Sequence, residues 1–316
     1  MSFSVSLVSW NLHGLPYPFD LHLNPFDKAP RHRKRIENVT ELVLKLSPDL
    51  VALQEVWIPG DIVSIMNSFR AAGYEVLEPP GKRFPRPGGL IIGVNTRRDW
   101  TVEDPGSFIE YTASADVDAR SHKGFRAVRI RRKASERLIL INTHLQSQYP
   151  PKSYAEVRKS QITQMSREAA RLAMANPEVP LLACGDFNTY PYPADQGVYT
   201  GFSESPWLDL TRETRVACGC ETNFNSNGKG MDGWIDYVLA HGNPRFDFRA
   251  EIDLLANRSI DEPFSDHQGL LARINIGERI ATRLIGVGAF ASVPRISSRR
   301  DWLSSLCAAV IDANWK

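Results

Sequence analysis

The chain has 316 residues, of which 42% are hydrophobic and 23% are charged, a composition typical of a soluble globular protein. This length suits one large α/β domain or two smaller ones. The 38 basic and 36 acidic residues leave a net charge of +2, which is too balanced to indicate by itself a nucleic acid or an anionic membrane as partner. The sequence has no run of about 18 apolar residues, the length needed to cross a bilayer.

The N-terminus and the cysteines both favour a cytoplasmic protein. The first ten residues alternate between polar and apolar side chains, which predicts a strand rather than a signal peptide. The cysteines include no Cys-x-x-Cys pair, so a structural zinc site is not expected. Cys218 and Cys220 are too isolated to indicate a disulfide framework, which favours a reducing compartment.

The first part of the chain is predicted to combine strands with two helices. A strand over 4–10 ends at Asn11, and a short apolar strand over 50–53 ends just before Glu55. We interpret the basic cluster 31–35 as a solvated helix face, with an anion-facing patch as the alternative. The remaining elements are a Pro- and aromatic-rich loop over 15–30, helices from 31 to 46 and over 62–72, strands over 74–77 and 90–95, a Pro-rich loop over 79–89 and an irregular segment over 100–109.

The middle of the chain leads to a strand that ends in polar residues. Leu181-Leu182-Ala183-Cys184 is a continuous apolar run, which predicts a buried strand, and it is followed by Gly185, Asp186 and Asn188. On an extended backbone the side chains of Asp186 and Asn188 would point to the same face, although an Asx turn explains the same residues. Before this strand, we predict strands over 126–132 and 138–143, the second ending at His144, and a helix over about 154–175.

The last part of the chain contributes further polar residues and a tail of different character. Asp236 is predicted to lie within a strand over 233–239, and Asp266 with His267 precedes a final strand over 270–276. Many strands, few helices and no repeat predict a sheet core flanked by helices. The tail from residue 277 is predicted to be partly helical and to pack on the core, with a membrane surface or a partner as the alternative.

Six strand ends therefore present polar groups that burial would penalise unless they have partners. If they converge, their residue types suit metal-assisted hydrolysis of a phosphoester, because acid and amide oxygens bind hard cations while imidazoles transfer protons. For Glu55 the alternative is an exposed position at a strand tip. The polar groups are those of Asn11, Glu55, His144, Asp186 with Asn188, Asp236, and Asp266 with His267.

The sequence resembles the endonuclease/exonuclease/phosphatase superfamily through six motifs that occur in the family's order and cover residues 5 to about 275. The resemblance implies a four-layered α/β sandwich of two packed β-sheets flanked by helices, as in DNase I, with 1–276 as the catalytic domain and 277–316 as an extension. The motifs are Trp10-Asn11-Leu12-His13-Gly14, Leu53-Gln54-Glu55-Val56, Asn142-Thr143-His144-Leu145, Gly185-Asp186-Phe187-Asn188, Ile235-Asp236-Tyr237 and Ser265-Asp266-His267.

The resemblance also implies a divalent metal, Mg²⁺ with Mn²⁺ as a substitute, and the residues that hold it. Glu55 and Asn11 would bind the metal, and Asn11 would also contact the substrate. Asp186, Asn188 and His267 are further candidate ligands. Asp186 would orient the attacking water and Asn188 the phosphate.

The remaining catalytic roles follow from the same resemblance. His144 would contact the phosphate, and Asp266 would support His267, which acts as general base or second metal ligand. Asp236 would support the site through His144. Arg158 is a candidate substrate-binding residue.

Within the superfamily the sequence is most similar to the neutral sphingomyelinase branch. The similarity rests on the segment 143–147, on the helix residues Tyr154, Arg158 and Gln161, and on His122-Lys123-Gly124-Phe125. It implies a monomeric sphingomyelinase or phospholipase C that contacts membranes peripherally, through Phe84 and Pro85 or the tail. The alternatives are a Mg²⁺-dependent nuclease, for which the basic clusters 31–35 and 129–133 speak, and a catalytically inactive scaffold.

Overall fold

A computed structural model describes residues 2–14, 29–80, 87–149, 151–191, 195–203, 206–223, 233–255 and 264–279, which belong to one compact unit, Met1–Arg279. Several predicted features lie outside these residues. They are most of the loop 15–30, Phe84 and Pro85, and the tail from residue 280 onward. The domain boundary near residue 276 stays a prediction.

The described strands form two mixed β-sheets. In spatial order the first sheet consists of β12 (Phe246–Leu255), β13 (Gly269–Glu278), β1 (Ser2–Asn11), β2 (Leu50–Gln54), β4 (Ile91–Asn95) and β3 (Tyr74–Leu77). The second consists of β10 (Trp207–Asp209), β11 (Asp236–His241), β9 (Leu181–Asp186), β8 (Glu136–His144), β7 (Gly124–Arg132) and β5 (Trp100–Asp104), with β6 (Phe108–Glu110) paired to β7.

Each sheet contains one parallel pair flanked by an antiparallel strand. β1 and β2 are parallel in the first sheet, as are β8 and β9 in the second. β13 runs antiparallel to β1, and β11 runs antiparallel to β9. The ends of four strands and the starts of two others are therefore brought to corresponding edges of the two sheets, where the six family motifs meet.

Helices cover the outer faces of both sheets, so the predicted four-layered sandwich is confirmed. Helices α1 (Ala29–Leu46) and α2 (Pro59–Ala71) share one apolar cluster with β2, whereas apolar residues of α3 (Ala155–Ala175) and α4 (Gln196–Ser203) belong to the larger cluster that also joins the two sheets. A short helix, α5 (Arg212–Cys218), follows β10. All six residues of β9 are buried, because this strand is covered on both faces.

A pair of buried amides connects the sheets directly beneath the converging strand ends. Gln54 Nε2 donates to Asn142 Oδ1 over 2.8 Å, from β2 to β8. Asn142 Nδ2 in turn donates to the carbonyl oxygens of Leu53 and Ile91. These bonds fix the relative position of two sheets that otherwise pack through non-directional apolar contacts.

Two predictions about secondary structure are wrong, both at sheet edges. Residues 100–109 are not irregular, since β5 and β6 lie there and pair with β7. β12 was not predicted, because its exposed face carries Asp247, Arg249, Glu251 and Asp253 between the apolar positions. Edge strands lack the apolar runs from which buried strands are recognised.

Cys218 and Cys220, which are too isolated in the sequence to indicate a disulfide framework, are joined in a disulfide across Gly219 at the end of α5. Cys184 is the one cysteine with an unpaired thiol in the described part of the chain, and it is buried. Among the described helices, none is both long and apolar enough to cross a membrane.

Gly185 is predicted to be essential for the approach of β9 to β8. Its φ is +139°, and a Cβ atom there would lie 1.9 Å from the carbonyl oxygen of Thr143. Gly185→Ala should therefore lower the free energy of unfolding by at least about 2 kcal/mol in urea denaturation. Gly277→Ala, where a Cβ would meet nothing within 4 Å, should change it by less than about 1 kcal/mol. Equal losses in the two variants would contradict this account of the strand.

Candidate active site

The amide of Asn11 is the point at which the two sheets exchange polar contacts. Its Nδ2 donates to Asp186 Oδ2 over 2.9 Å and to Glu55 Oε1 over 3.0 Å, and it lies 3.4 Å from His267 Nε2. Its Oδ1 accepts the backbone N–H of His13. The oxygen of Asn11 is therefore engaged and its nitrogen faces the carboxylates, and the role of Asn11 as a metal ligand stays a prediction. The fully buried amide acts as a donor inside the site.

Glu55, His144 and Asp186 form a group that could hold a metal ion, since one ligand atom from each lies within 4.8 Å of the others. His144 Nε2 is 3.4 Å from Asp186 Oδ2 and 3.7 Å from Glu55 Oε1. Two members, Glu55 and Asp186, were predicted as ligands, whereas His144 was predicted to contact the phosphate.

The hydrogen bonding of this group indicates that a further charge partner is needed. Neither ring nitrogen of His144 has a hydrogen bond, and Glu55 Oε2 has none either, although all three atoms are buried. Buried polar atoms without partners are costly, and a divalent cation would provide a partner for one ring nitrogen of His144 and for the carboxylate of Glu55. The donor set of two carboxylates and one imidazole therefore fits a divalent metal.

Burial shifts the protonation equilibria of the same residues. Burial raises the pKa of Asp186. Burial, together with the positive charges of Lys123 and His267, lowers the pKa of His144 well below its usual value, so that its imidazole is neutral. A bound cation would favour the ionised carboxylate and the neutral imidazole, because the cation supplies the charge that water cannot reach.

His267 is oriented by Asp236, which corrects the predicted pairing with Asp266. His267 Nδ1 lies 2.8 Å from Asp236 Oδ2, and Asn223 Nδ2 lies 3.0 Å from His267 Nε2. Burial lowers the pKa of His267, but the carboxylates of Asp236, Asp266 and Asp186 outweigh it and raise the pKa to about 10. The pair is therefore an imidazole with a fixed orientation, and Asp236 acts through His267 rather than through His144.

Asp236 also differs from its prediction in its place along the chain. It is the first residue of β11, not a residue embedded in a longer strand. The backbone N–H groups of Ile235 and Asp236 donate to Thr222 Oγ1 instead of continuing the strand ladder. Because β11 runs antiparallel to β9, its first residue lies opposite Asp186.

Asp266 pairs with a histidine to which no role was assigned. Asp266 Oδ2 lies 3.1 Å from His13 Nδ1, and the same nitrogen lies 4.0 Å from Glu55 Oε2. Burial raises the pKa of Asp266, but His13 and His267 outweigh it, so that the pKa lies below its usual value. The site thus contains two histidine–carboxylate pairs, and Asp266 Oδ1 of one pair lies 3.9 Å from His267 Nε2 of the other.

Asn188 enters the site through a turn, not through strand alternation. β9 ends at Asp186, and Asn188 has a φ of +47°, in the left-handed region. Its backbone N–H donates to Asp186 Oδ1, which is the Asx turn named as the alternative. Its side-chain Nδ2 donates to the carbonyl oxygen of Leu145, so Asn188 is tied to the end of β8.

The segment that follows His144 is supported by a buried ion pair. Lys123 Nζ lies 2.8 Å from Asp118 Oδ2, with both side chains buried, and it donates to the carbonyl oxygen of Leu145 and to Ser147 Oγ. Tyr149 donates to the second oxygen of Asp118. Lys123 therefore fixes the backbone on the C-terminal side of His144, and its charge acts on the His144 imidazole.

Arg158 was predicted to bind the substrate, but it lies in the interior and supports the same segment. Its side chain is fully buried, with Nη2 within 3.0 Å of both oxygens of Asp195, and its Nη1 donates to the carbonyl oxygen of Gln146. A residue without exposed surface cannot contact a substrate directly. Its place in the structure is that of a positioning residue.

The N-terminal basic cluster is only partly a solvated face. Arg33 and Lys34 are exposed, but His32 and Arg35 are buried. Arg35 donates to the carbonyl oxygens of Leu12, His13 and Phe264. It therefore connects the turn after β1 to the segment before Asp266.

Residues 8–267 match the sequence model described as the Endonuclease/Exonuclease/phosphatase family. The chain belongs to this family. A comparison with curated proteins found no match to this sequence.

Solved structures with a similar fold include three that cover most of the chain. D. rerio TDP2 humanized by 14 mutations is 16% identical, covers 86% of this chain and 98% of its own, and has a TM-score of 0.65. The human Nocturnin catalytic domain with bound sulfate is 18% identical, with coverages of 87% and 95% and a TM-score of 0.63. ANGEL2, a 2',3'-cyclic phosphatase, is 16% identical, with coverages of 87% and 95% and a TM-score of 0.64. At these identities the similarity establishes the fold.

Membership of this family supports the activity of a divalent-metal-dependent phosphoester hydrolase.

The site also contains residues to which the sequence patterns assigned no role. His13, Asn223 and the pair Asp118–Lys123 all contact or support site residues. His13 lies two residues after Asn11 within a quoted motif, which was an available signal. Asn223 lies in a loop and Asp118 in a single 3-10 turn over Asp116–Arg120, and neither setting has a periodicity that distinguishes the residue in the sequence.

Without bound metal, the free energy of unfolding of this protein should fall as the pH rises from about 6.5 to about 10. The folded-state pKa of His267 is raised above its unfolded value of about 6.5, so its stabilising contribution is complete below that pH and is lost as the pH rises through about 10. Asp236→Asn should flatten this decline, measured as urea midpoints in EDTA, because it removes a carboxylate that raises this pKa. The exposed control Asp253→Asn should keep the wild-type slope. An unchanged slope in Asp236→Asn would contradict the pairing.

Proposed function

We propose that this protein is a divalent-metal-dependent phosphodiesterase that hydrolyses a phospholipid in the manner of a sphingomyelinase or phospholipase C. The observation that carries the substrate class is the network behind His144. The three stretches on which the sphingomyelinase resemblance rests, around Lys123, around His144 and around Arg158, are separate in sequence. All three are joined by hydrogen bonds to the segment Leu145-Gln146-Ser147, which follows His144.

The reaction is attack of water on phosphorus in line with the leaving alcohol oxygen. A divalent cation held by Glu55, Asp186 and His144, Mg²⁺ or Mn²⁺, would supply Lewis-acid stabilisation of the charge on the phosphate. The buried Nδ2 of Asn11 points into the same space and donates toward negatively charged oxygens there.

His267 is the residue that fits a general base. Its Nδ1–H donates to Asp236, so Nε2, which lies 3.0 Å from Asn223 Nδ2, is the nitrogen that would accept a proton from water once Asn223 gives way. One of the three carboxylates that raise its pKa, Asp186, belongs to the group that would hold the cation, so cation binding would bring that pKa back toward neutrality. Asp186, 3.8 Å from His267 Nε2, would orient the water.

Several cations in and near the clusters 31–35 and 129–133, which favour a nuclease, are paired with acidic side chains or buried. Arg129, Arg131 and Arg137 all lie within 3.5 Å of Glu103 oxygens. Arg35 is buried among backbone carbonyl groups. Duplex binding depends on many unneutralised cations, so these charges favour a smaller phosphodiester substrate.

The direct test is release of phosphocholine from sphingomyelin vesicles, with and without added divalent cation. We expect cation-dependent release that exceeds turnover of lysophospholipids, abasic DNA and poly(A). Preferential turnover of DNA or RNA would overturn the phospholipid substrate and move the function to a nuclease. Absence of turnover on the whole panel would favour an inactive scaffold that contacts a partner.

Two substitutions test the assigned roles. His267→Ala should lower kcat/KM by about 10²–10⁴-fold because it removes proton transfer, and Glu55→Gln should lower it at least as much because it removes a metal ligand. Matched controls are His122→Ala and Glu110→Gln, which change an exposed pair 2.8 Å apart. Thermal unfolding of all four variants should remain near that of the wild type. Wild-type activity in either site variant would contradict its role.

A further inference from the structure

Three arginines of the second sheet surround a single glutamate. Arg129 and Arg131 lie two residues apart on β7, so their side chains point to the same face, and Arg131 is directly opposite Arg137 on β8. Arg131 Nε and Arg137 Nη2 lie 3.5 Å and 3.0 Å from Glu103 Oε1. Arg129 Nε lies 3.3 Å from Glu103 Oε2. One carboxylate is therefore shared by three guanidinium groups.

This arrangement leaves an excess of positive charge. The one other carboxylate that contacts these arginines in the described part of the chain is that of Asp104, 3.9 Å from Arg129 Nη2, so two acids face three cations. Like charges directly opposite each other on neighbouring strands, as Arg131 and Arg137 are, destabilise a sheet. Several other surface arginines have one acidic partner each, in the pairs Arg33–Glu37, Arg171–Glu168, Arg273–Asp253 and Arg279–Asp247.

The excess charge lines a pocket that opens to solvent and has a volume of about 580 Å³. Glu103 is only 14% exposed, whereas the three arginine side chains are 34%, 47% and 49% exposed, so the cations extend past the acid toward the opening. Neither Nη atom of Arg131 has a hydrogen-bond partner among the described residues. The lining residues are Val102, Glu103, Arg129, Arg131, Arg137 and Asn176.

The donors in this pocket suit a phosphomonoester. The planar guanidinium group binds carboxylates and phosphates through pairs of parallel hydrogen bonds. A carboxylate offers two oxygens and one charge, and Glu103 already supplies one. A phosphomonoester offers three terminal oxygens and a charge of about −1.5 to −2 at pH 7, which matches three guanidinium groups better. The pocket also has the size of a small-molecule site, with room for the organic group attached to the phosphate.

The position of the pocket favours a soluble ligand over a lipid headgroup. Arg137 lies near the start of β8 and His144 at its end, seven residues further on, which corresponds to roughly 23 Å of extended strand. A bilayer contacted by the active-site edge of the sheets would therefore lie at the opposite end of β8. Its headgroups could not enter the pocket of a protein engaged in hydrolysis at that surface.

We propose that the pocket lined by Arg129, Arg131 and Arg137 is a second binding site, separate from the candidate active site, and that it takes a soluble phosphomonoester. The inference does not rest on the proposed function, because none of these residues belongs to the hydrolytic centre. Glu103 holds the guanidinium groups together and competes with the ligand for their donors.

The alternative is that the four side chains only brace β5, β7 and β8 against one another. The two explanations differ most clearly for Glu103. If the cluster is a brace, removal of the carboxylate would lower the free energy of unfolding and would create no affinity for an anion. If the cluster is a binding site, removal of the competing carboxylate would strengthen the binding of a phosphomonoester.

The test is calorimetric titration of the full-length protein with glycerol 3-phosphate in EDTA, in wild type, Arg131→Gln and Glu103→Gln. Arg131→Gln should lower the affinity at least about tenfold, because it removes a charged donor that the fold uses least. Glu103→Gln should raise the affinity at least about threefold. Arg273→Gln, which changes an exposed arginine paired with Asp253, should retain the wild-type affinity. Thermal unfolding of Arg131→Gln should stay near that of the wild type.

Flotation with phosphatidylcholine vesicles that contain phosphatidic acid distinguishes the two sources of a phosphomonoester. We expect vesicle binding to be the same in wild type and Arg131→Gln. Vesicle binding that depends on Arg131, without binding of glycerol 3-phosphate, would overturn the soluble ligand. Absence of glycerol 3-phosphate binding in wild type, or affinities within twofold of each other in wild type, Arg131→Gln and Glu103→Gln, would overturn the proposal. Since no hydrolysis is measured, these results are independent of the test of the proposed function.

Discussion

Several carboxylates and imidazoles are buried around the side-chain amide of Asn11, and the rest of the site depends on how their charges are balanced. Asn11 connects Glu55 of one sheet to Asp186 of the other, and its nitrogen also faces His267. Burial raises the pKa of Asp186 and lowers that of His144, so in the absence of a cation the site disfavours the ionised carboxylate of Asp186. A divalent cation would lower the pKa of Asp186 and keep the imidazole of His144 neutral, which makes its binding part of the electrostatic balance of the fold.

The sheets bring these residues together because each repeats the same arrangement. A parallel pair delivers two strand ends, and one antiparallel neighbour delivers a strand start to the same edge. Glu55 and His267 come from the first sheet, and His144, Asp186 and Asp236 from the second. The buried Gln54–Asn142 bond holds the two edges in a fixed relative position beneath the site.

Much of this arrangement could be predicted from the sequence, for identifiable reasons. The apolar runs before Asp186 and Glu55 predict buried strands, and polar residues at their ends indicate a shared site. The pairings of Asp236 with His267 and of Asp266 with His13 could not be predicted, because strand patterns do not show which acidic residue faces which histidine. Arg158 was misassigned since its burial against Asp195 depends on tertiary contacts.

His13 illustrates a further limit of sequence patterns. Its left-handed conformation arises from contacts with Asn11, Arg35 and the Glu55 backbone, which are distant in sequence apart from Asn11. Histidine adopts this conformation more often than most residues, but too rarely for its presence alone to predict the conformation. The resemblance to the family covers its motif, yet the nitrogen beside Glu55 becomes visible only in three dimensions.

The central claim is that a divalent cation replaces protons as the charge partner of this buried site. Calorimetric titration of the metal-free protein with the cation, at pH 7 in buffers of different ionisation enthalpy, measures the protons exchanged on binding. Because Asp186 and His267 have raised pKa values without metal, the account predicts net proton release. Tight cation binding with no proton release would contradict it.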